Sequence, residues 1–194
     1  MMPPDIWRMM MREYISDIAF TDTVKQIQKE KGSRNSYANM EQYHSWENSV
    51  TPFLKSFIAE RDSFYMASVN AEGQPYIQHR GGPKGFLKVV DDRTLGFTDF
   101  RGNRQYISYG NLTDNNKVSL FLMDYPNKAR IKIWGTAEVN ETDQELIKQL
   151  SVSDYKGTVE HAFLIHIDAW DRNCPQHITP RYTKEEFELM RETR

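Results

Sequence analysis

The chain has 194 residues, a length that fits one compact domain with a real hydrophobic core and makes a second full domain unexpected. Its 25 Lys and Arg residues nearly balance its 27 Asp and Glu residues, for a formal net charge of -2. This balance gives no global electrostatic reason to bind nucleic acid or an anionic membrane, so any anion-binding site must be local. No stretch approaches the roughly 20 consecutive apolar residues of a membrane span, and the N-terminus lacks a secretory core of about 7–15 apolar residues. We therefore expect a cytoplasmic protein.

The N-terminal segment is not predicted to carry function. Met1–Tyr14 is rich in Met and has the composition of an amphipathic helix, but Asp5 and Glu13 are atypical of a mitochondrial presequence. We therefore divide the chain into an N-terminal extension, residues 1–15, and one domain, residues 16–194.

Capping residues and apolar spacing predict helices at both ends of the chain and between strands. Thr21 is a candidate N-cap, and Gly32 is a candidate stop signal for the first helix. Thr51 precedes Pro52, and a capping hydroxyl before a proline at the first helical position favours a helix start. The predicted helices are Thr21–Glu30, Asn35–Trp46, a helix that begins at Pro52, Asn103–Asn111, Thr142–Leu150, and a C-terminal helix opened by the capping box of Thr183 and Glu186.

From residue 64 onward the apolar residues change to the alternation that is typical of strands. Turn residues separate the strands, so we expect a consecutive antiparallel meander. An antiparallel sheet removes its exposed edges most simply by closing, which favours a small barrel and a fold that is mainly β with flanking helices (α+β). The predicted strands are Phe64–Val69, Pro75–Arg80, Phe86–Val90, Thr94–Thr98, Lys117–Asp124, Arg130–Val139 and Val159–Ile167.

The segment Gln78–Gly85 combines glycines and a proline at the end of a predicted strand. A missing side chain leaves space and free amides, so Gly81 and Gly82 serve either a tight bend or the close approach of a flat ligand. The spacing is neither that of a dinucleotide-binding turn nor that of a P-loop. The segment is therefore a candidate site without a nucleotide fingerprint.

The segment Phe97–Arg104 joins a strand end to the predicted start of a helix. A helix N-terminus offers unpaired amides and the positive end of a dipole, and Arg101 and Arg104 add cationic donors. The segment therefore predicts a phosphate seat in a protein that is not basic overall. A solvated charged turn is the alternative interpretation.

Arg130, Lys132 and Trp134 share one face of a predicted strand, and the other face is apolar. Two interpretations stay open for this basic face. It is either the solvent-wetted exterior of a barrel, or it supplies positive charge to the ring or phosphate of a ligand.

The stretch Asp168–Arg181 is predicted to be irregular and is dense in Trp, Arg, His and Asn, a composition that often carries function in loops. Cys174 has no partner for an intrachain disulfide, which suits a reducing compartment. With His177 it would supply only two zinc ligands, so no metal site is predicted. No Ser/His/Asp or paired-carboxylate spacing indicates a catalytic group. The remaining candidate histidines are interpreted as ordinary strand residues: His79, His161 and His166.

Taken in order, these segments resemble the FMN-binding split-barrel proteins related to pyridoxamine 5'-phosphate oxidase. The resemblance runs from Ser16 over most of the chain. It implies an FMN-binding split β-barrel that is homodimeric, with the cofactor at the interface so that both chains line each site. The motifs that carry the resemblance are Gly32-Ser33-Arg34 followed by Tyr37, Gly73–Tyr76, Arg80–Pro83, Gly102–Tyr106 and Asn173–Ile178.

The resemblance also implies the residues that bind the cofactor. The position of the first flavin-contacting arginine holds Gln78 here, and the position of a strand glutamine that faces the flavin holds Arg130. The family's phosphate-binding pair falls on Asn103 and Arg104. The full implied set is Gln78, Arg80, Phe97, Thr98, Arg101, Asn103, Arg104, Arg130, Lys132, Trp170 and Arg181.

The residues that recognise the vitamin substrate in the oxidase are not matched. The family's lysine after the first flavin strand falls near Pro83 and Lys84, and Pro175-Gln176-His177 replaces its Arg-x-His motif. A tyrosine-arginine-serine insert has no clear counterpart around Leu146–Val159. We therefore expect a substrate other than pyridoxamine phosphate.

Three functions follow from these observations. The first is an FMN-dependent oxidoreductase that acts on a small molecule, with NADH or NADPH as the candidate electron donor, since the flavin itself carries the redox chemistry. The alternative is a non-catalytic protein that binds or stores flavin, haem or deazaflavin, because fold does not fix function. The third is a structural dimerisation domain that has lost its cofactor.

Overall fold

The computed structural model describes residues 12–153, 155–172 and 175–192. Most of the expected N-terminal extension (residues 1–11) and Cys174 lie outside these residues. Within them, six α-helices accompany one sheet of seven strands, an α+β arrangement. The helices are α1 (Asp22–Glu30), α2 (Arg34–Tyr43), α3 (Pro52–Ala59), α4 (Ile107–Asp114), α5 (Gln144–Leu150) and α6 (Lys184–Glu192). The strands are β1 (Ser63–Val69), β2 (Pro75–Gly81), β3 (Lys88–Val89), β4 (Thr94–Phe100), β5 (Lys117–Asp124), β6 (Ala129–Asn140) and β7 (Val159–Arg172).

The predicted helix caps at the N-terminal end are confirmed. Thr21 Oγ1 accepts a hydrogen bond from the Val24 N–H at 3.3 Å, and Thr51 Oγ1 accepts one from the Leu54 N–H at 3.2 Å. After α1 the chain turns at Gly32, whose φ of +78° lies in the left-handed region that glycine adopts without strain. The capping box predicted for the C-terminal helix is also present. Of the helices in the described part of the chain, none combines the length and apolar character needed to cross a bilayer.

The strands form one antiparallel sheet in the order β2-β1-β5-β6-β7-β4-β3. The predicted consecutive meander is therefore wrong. β1 pairs with β5 and β4 pairs with β7, so strands distant in sequence lie side by side. Alternation of apolar residues predicts that a strand exists, but it does not say which strand is its neighbour.

Several element boundaries differ from the predicted ones, among them those of β3, β7 and α2. β3 has only two residues, because Phe86 and Leu87 are buried in the core instead of extending the strand. β7 continues to Arg172, so the first part of the stretch predicted to be irregular is a paired strand. α2 ends at Tyr43, short of the predicted Trp46.

Side chains connect β2 and β4 across an open seam. Nη1 of Arg80 on β2 lies 2.5 Å from Oδ1 of Asp99 on β4. Within the described residues, the backbone of β2 pairs with β1, whereas that of β4 pairs with β7 and β3. The sheet therefore curls until β2 and β4 meet without a backbone ladder between them, as expected of a barrel split along one side.

Aromatic rings fill the interior next to this seam. Phe97 on β4 and Phe163 on β7 are parallel, with centroids 5.0 Å apart, and Phe64 on β1 meets Phe97 edge-on at 5.3 Å. The guanidinium carbon of Arg80 lies 4.9 Å from the centroid of Phe163. The core thus places a layer of packed aromatic rings beneath Arg80.

The segment between α2 and α3 covers the outward face of β6. Trp46 stacks on Trp134 with centroids 4.8 Å apart, and Trp170 Nε1 donates a hydrogen bond to the Ser49 carbonyl at 2.8 Å. Lys132 Nζ lies 5.0 Å from the Trp134 centroid. The basic face predicted for this strand is therefore partly covered by the protein's own chain instead of being fully wetted.

Candidate functional site

A cleft lies at the seam between β2 and β4, bordered by β7 and by the loop of residues 101–106. It consists of three adjoining cavities of about 100, 150 and 620 Å³, of which the largest is the most open to solvent. Sites for small organic ligands are typically about 300–1,000 Å³. Eight residues line two of the three cavities each and so define the cleft: Gln78, Arg80, Asp99, Phe100, Tyr106, Tyr109, Glu160 and His161.

The floor of the cleft is a buried ionic cluster. Asp99 bridges Arg80, at 2.5 Å, and His161, whose Nε2 lies 3.2 Å from Asp99 Oδ2. Arg80 Nε and His161 Nε2 are both buried and have no hydrogen-bond partner. Buried polar atoms are nearly always paired, so the Arg80 Nε–H is a donor left without a partner at the floor of the cleft.

The mouth of the cleft carries two guanidinium groups around one carboxylate. Glu160 Oε1 lies 3.0 Å from Arg101 Nε and 3.7 Å from Arg104 Nε. The arginine side chains are 57% and 61% exposed, which leaves them accessible to a ligand. Arg104 Nε also donates to Tyr106 Oη at 2.8 Å, and this hydrogen bond raises the pKa of the Arg104 guanidinium. Glu141 also lines the open part of the cleft, so the two guanidinium groups face two carboxylates. An anion at the mouth would therefore depend on the exposed guanidinium donors, not on an excess of positive charge.

α4 begins at Ile107, later than the predicted Asn103, because two residues of the preceding loop have a backbone conformation that an α-helix does not allow. Arg104 and Tyr106 have φ values of +59° and +53°, in the left-handed region that residues with a Cβ rarely adopt. Ile107 and Ser108, at the start of α4, line the same cavity as Arg104. The predicted combination of arginines with a helix N-terminus is therefore present, with a strained loop between them.

Two side-chain hydrogen bonds attach α4 to the seam. Ser108 Oγ donates to Gln78 Oε1 on β2 at 2.7 Å, and Asn111 Nδ2 donates to Ser68 Oγ on β1 at 2.9 Å. Asn111 and Ser68 are both buried. These contacts fix the amide of Gln78 at the edge of the cleft.

Seven of the residues implied by the resemblance come together here. Gln78, Arg80, Asn103 and Arg104 line the smallest cavity. Phe97 and Thr98 line the adjoining one, although Phe97 belongs mainly to the aromatic core. Arg101 lines the open part of the cleft. The remaining four residues of the implied set lie elsewhere in the chain.

Lys132 and Trp170 line a separate cavity of about 470 Å³ beside Trp46. Lys132 Nζ lies 3.8 Å from an Asp171 carboxylate oxygen, and the Trp170 indole N–H is committed to the Ser49 carbonyl. Both side chains therefore pack against the segment between α2 and α3 of the same chain.

Arg130 and Arg181 also lie outside the cleft. Arg181 stacks over Tyr125, 4.8 Å from its ring centroid, in another cavity of about 540 Å³. Arg130 lies on the outward face of β6 opposite Met123, and its Nε is buried without a hydrogen-bond partner. Within one chain, neither Arg130 nor Arg181 lines the cleft.

Six of the eight residues that define the cleft were not in the implied set of site residues: Asp99, Phe100, Tyr106, Tyr109, Glu160 and His161. His161 in particular was interpreted as an ordinary strand histidine, but its side chain is buried beside Asp99. The register pairs Asp99 with His161 across β4 and β7. A charged residue next to an arginine-rich turn was the available signal for Asp99, whereas the pairing of β4 with β7 has no signature in the local sequence.

The structure supports a tight bend as the reason for Gly82 and Gly85, whereas Gly81 lines one of the cavities of the cleft. A Cβ on Gly82 would lie 2.7 Å from Phe86 Cγ and 2.9 Å from its Cβ. Gly85 has a φ of +75°, which also favours glycine. These residues let Phe86 enter the core beside Phe64, with ring centroids 5.5 Å apart.

In the described residues, no group of three or more His, Cys, Asp or Glu side chains is arranged to hold a metal ion. Cys174, which with His177 would supply only two zinc ligands, lies outside these residues.

Comparison with known proteins connects this fold to one family. The family model for pyridoxamine 5'-phosphate oxidase matches residues 50–173, which is more than half of the chain. No curated protein matches the sequence. The crystal structure of HupZ from Group A Streptococcus is 21% identical, with a TM-score of 0.53 over 69% of this chain and 99% of that chain. The structure of an FMN-binding protein from Syntrophomonas wolfei is 13% identical, with a TM-score of 0.50 over 78% of this chain and 97% of that one.

These two structures share the fold, and the family model spans the seam, the loop of residues 101–106 and all of β7. The chain therefore belongs to the pyridoxamine 5'-phosphate oxidase family.

Proposed function

We propose that the protein binds FMN in the cleft at the seam and acts as an FMN-dependent oxidoreductase on a small molecule. The observation that carries the proposal is the convergence of Arg101 and Arg104 at the mouth of a cleft whose floor holds Arg80. Guanidinium groups bind phosphate strongly because their N–H donors match its oxygens in geometry and charge. Membership of the family and the shared fold of the FMN-binding protein from Syntrophomonas wolfei support the proposal.

The residues of the cleft fit such a cofactor in charge and polarity. Arg101 and Arg104 would hold the phosphate, and the amide of Gln78 offers hydrogen bonds of the kind that the polar edge of a flavin ring needs. The buried Nε–H of Arg80 has no hydrogen-bond partner and offers a further donor near this edge, although Asp99 balances the charge of its guanidinium group. When bound, FMN supplies the redox chemistry, and the protein orients it and sets its electrostatic surroundings.

We also propose that the working form is a homodimer that joins through the outward face of β2, β1 and β5. On this face Ile77 is 66% exposed and Tyr65 is 41% exposed, and Phe121 lies directly opposite Tyr65 on the neighbouring strand. Contiguous exposed apolar side chains of this kind mark protein interfaces. Arg130 lies on the same face, on the next strand, so this interface would bring a second copy next to it.

The first experiment is an absorption spectrum of the freshly purified protein, with mass spectrometry of any small molecule that denaturation releases. Oxidised-flavin bands and the mass of FMN are expected. A titration then compares Arg104→Ala with wild type, and we expect the variant to lose about 1.5–3 kcal/mol of FMN affinity, or roughly ten- to a hundredfold in Kd. Arg191→Ala, on the exposed surface of α6, is the matched control. Equal FMN affinity in all three proteins would remove the arginine from the site.

Sedimentation velocity tests the dimer. Wild type is expected to sediment as a dimer, and Ile77→Glu is expected to shift it towards the monomer, because a charge cannot be buried unpaired at the interface. A wild-type protein that sediments as a monomer and still binds FMN would refute the shared-interface arrangement.

A specific observation favours a second candidate, a non-catalytic protein that carries a flavin, haem or deazaflavin. Most charged side chains of the cleft contact one another: Arg80 with Asp99, and both mouth arginines with Glu160. Such pairing suits binding better than proton transfer. Flavin reduction by NADH or NADPH, followed by reoxidation with a screened acceptor, would favour the oxidoreductase. A stably bound flavin that no donor reduces would favour the carrier.

A further inference from the structure

Glu160 is placed where a ligand phosphate would meet the two arginines. Its side chain is 14% exposed, and its Oε1 lies 3.0 Å from Arg101 Nε and 3.7 Å from Arg104 Nε. Tyr106 Oη also donates to the same oxygen, at 3.4 Å. The carboxylate therefore accepts hydrogen bonds from Arg101 and Tyr106 and forms an ion pair with Arg104.

The register of the sheet shows how Glu160 reaches this position. Asp99 pairs with His161 and Phe100 pairs with Val159, so Glu160 is the extra residue of β7 at a bulge. A bulge redirects the side chain of the extra residue, and bulges are frequent beside functional sites. The adjacent His161 faces the interior, whereas Glu160 is directed to the mouth of the cleft.

A carboxylate and a phosphate compete for the same guanidinium donors, and each repels the other when both are bound. A carboxylate held at this distance opposes a phosphate group but has little effect on an uncharged ligand. We propose that Glu160 is a specificity-determining residue, which occupies the arginines in place of the phosphate and so limits the preference of the cleft for a phosphorylated flavin over riboflavin. This inference rests on the proposed function.

The test is a pair of titrations, with FMN and with riboflavin, on wild type, Glu160→Gln and Glu138→Gln. Glu138 is an exposed glutamate on β6 and serves as the matched control. We expect Glu160→Gln to bind FMN about tenfold more tightly than wild type, from removal of one nearby negative charge in a partly exposed site. Riboflavin affinity should stay within about twofold, because riboflavin lacks the phosphate on which the charge acts. Glu138→Gln should match wild type with both ligands.

FMN affinity that is unchanged or weaker in Glu160→Gln would overturn the inference, because Glu160 would then be neutral or would preorganise the arginines. Equal tightening for FMN and riboflavin would also overturn it. Wild type that binds FMN without a gain in the variant leaves the proposed function intact and refutes only the inference. Binding of FMN by the variant alone supports the inference and contradicts FMN binding by wild type. Failure of both proteins to bind refutes both proposals. Thermal denaturation of each variant shows that it is folded.

Discussion

The ionic cluster at the floor of the cleft gives a sharp stability prediction. Asp99→Asn keeps the size of the side chain but removes the charge that neutralises Arg80. The Arg80 side chain is 7% exposed and that of Asp99 is 23% exposed. Among the described residues, no carboxylate other than that of Asp99 forms an ion pair with Arg80. The variant therefore leaves a buried cation without a counterion.

The expected cost is about 2–3 kcal/mol. Breaking a fully buried ion pair by removing one partner costs about 3–5 kcal/mol, and the partial exposure of Asp99 lowers this figure because water screens the remaining charge. For a chain of this size about 1 kcal/mol corresponds to roughly 2–4 °C, so Tm should fall by roughly 4–12 °C.

Urea denaturation with linear extrapolation, together with a thermal melt, measures the change. The control is Glu60→Gln, which breaks the mostly exposed Glu60–Lys84 pair at 3.7 Å and should cost less than about 1 kcal/mol. The double variant Asp99→Asn with Arg80→Met should recover part of the loss, since no buried charge remains. If Asp99→Asn costs no more than Glu60→Gln, the reasoning from a buried, uncompensated arginine is refuted.

Three further predictions address the bend after β2, the packing of the segment between α2 and α3, and the charge of Asp171. Gly82→Ala should cost about 1–3 kcal/mol in urea denaturation, because its Cβ would lie 2.7 Å from Phe86 Cγ; a loss below about 0.5 kcal/mol would contradict this. Trp170→Phe removes the hydrogen bond to the Ser49 carbonyl and should cost about 1–2 kcal/mol with FMN affinity unchanged; weaker FMN binding would instead place the indole at the flavin. Burial raises the pKa of Asp171 above its ordinary value of 3.8. Above pH 3.8 the folded state therefore binds more protons at this site than the unfolded state, and the stability of wild type falls as the pH rises through the raised pKa. Asp171→Asn lacks this loss, so in urea denaturation its stability relative to wild type should increase as the pH rises above 3.8, whereas a constant difference would refute the assignment.

Local chemistry in the sequence was sufficient to predict most elements and part of the site. Thr21 and Thr51 cap helices as predicted, because a capping hydroxyl acts on amides only a few residues away. Strand alternation placed Ile131 and Ile133 in the core, where both are fully buried. The segment Phe97–Arg104 was predicted as a site, and its arginines lie at the cleft. This part was predictable because the two arginines are close in sequence, in the loop that directly follows β4.

The tertiary structure alone decided which distant residues meet. The pairing of β4 with β7 brings His161 and Glu160 to Asp99 and the arginines, and no local pattern encodes that register. The same holds for the pairing of β1 with β5, which replaced the predicted meander, and for Trp46, which covers Trp134 on β6. Caps and alternation act within a few residues of the chain, whereas strand order and ion pairs across a seam depend on the burial of the whole sheet. The sequence by itself therefore determined the elements and the cationic loop, and the fold determined the acidic residues that face that loop.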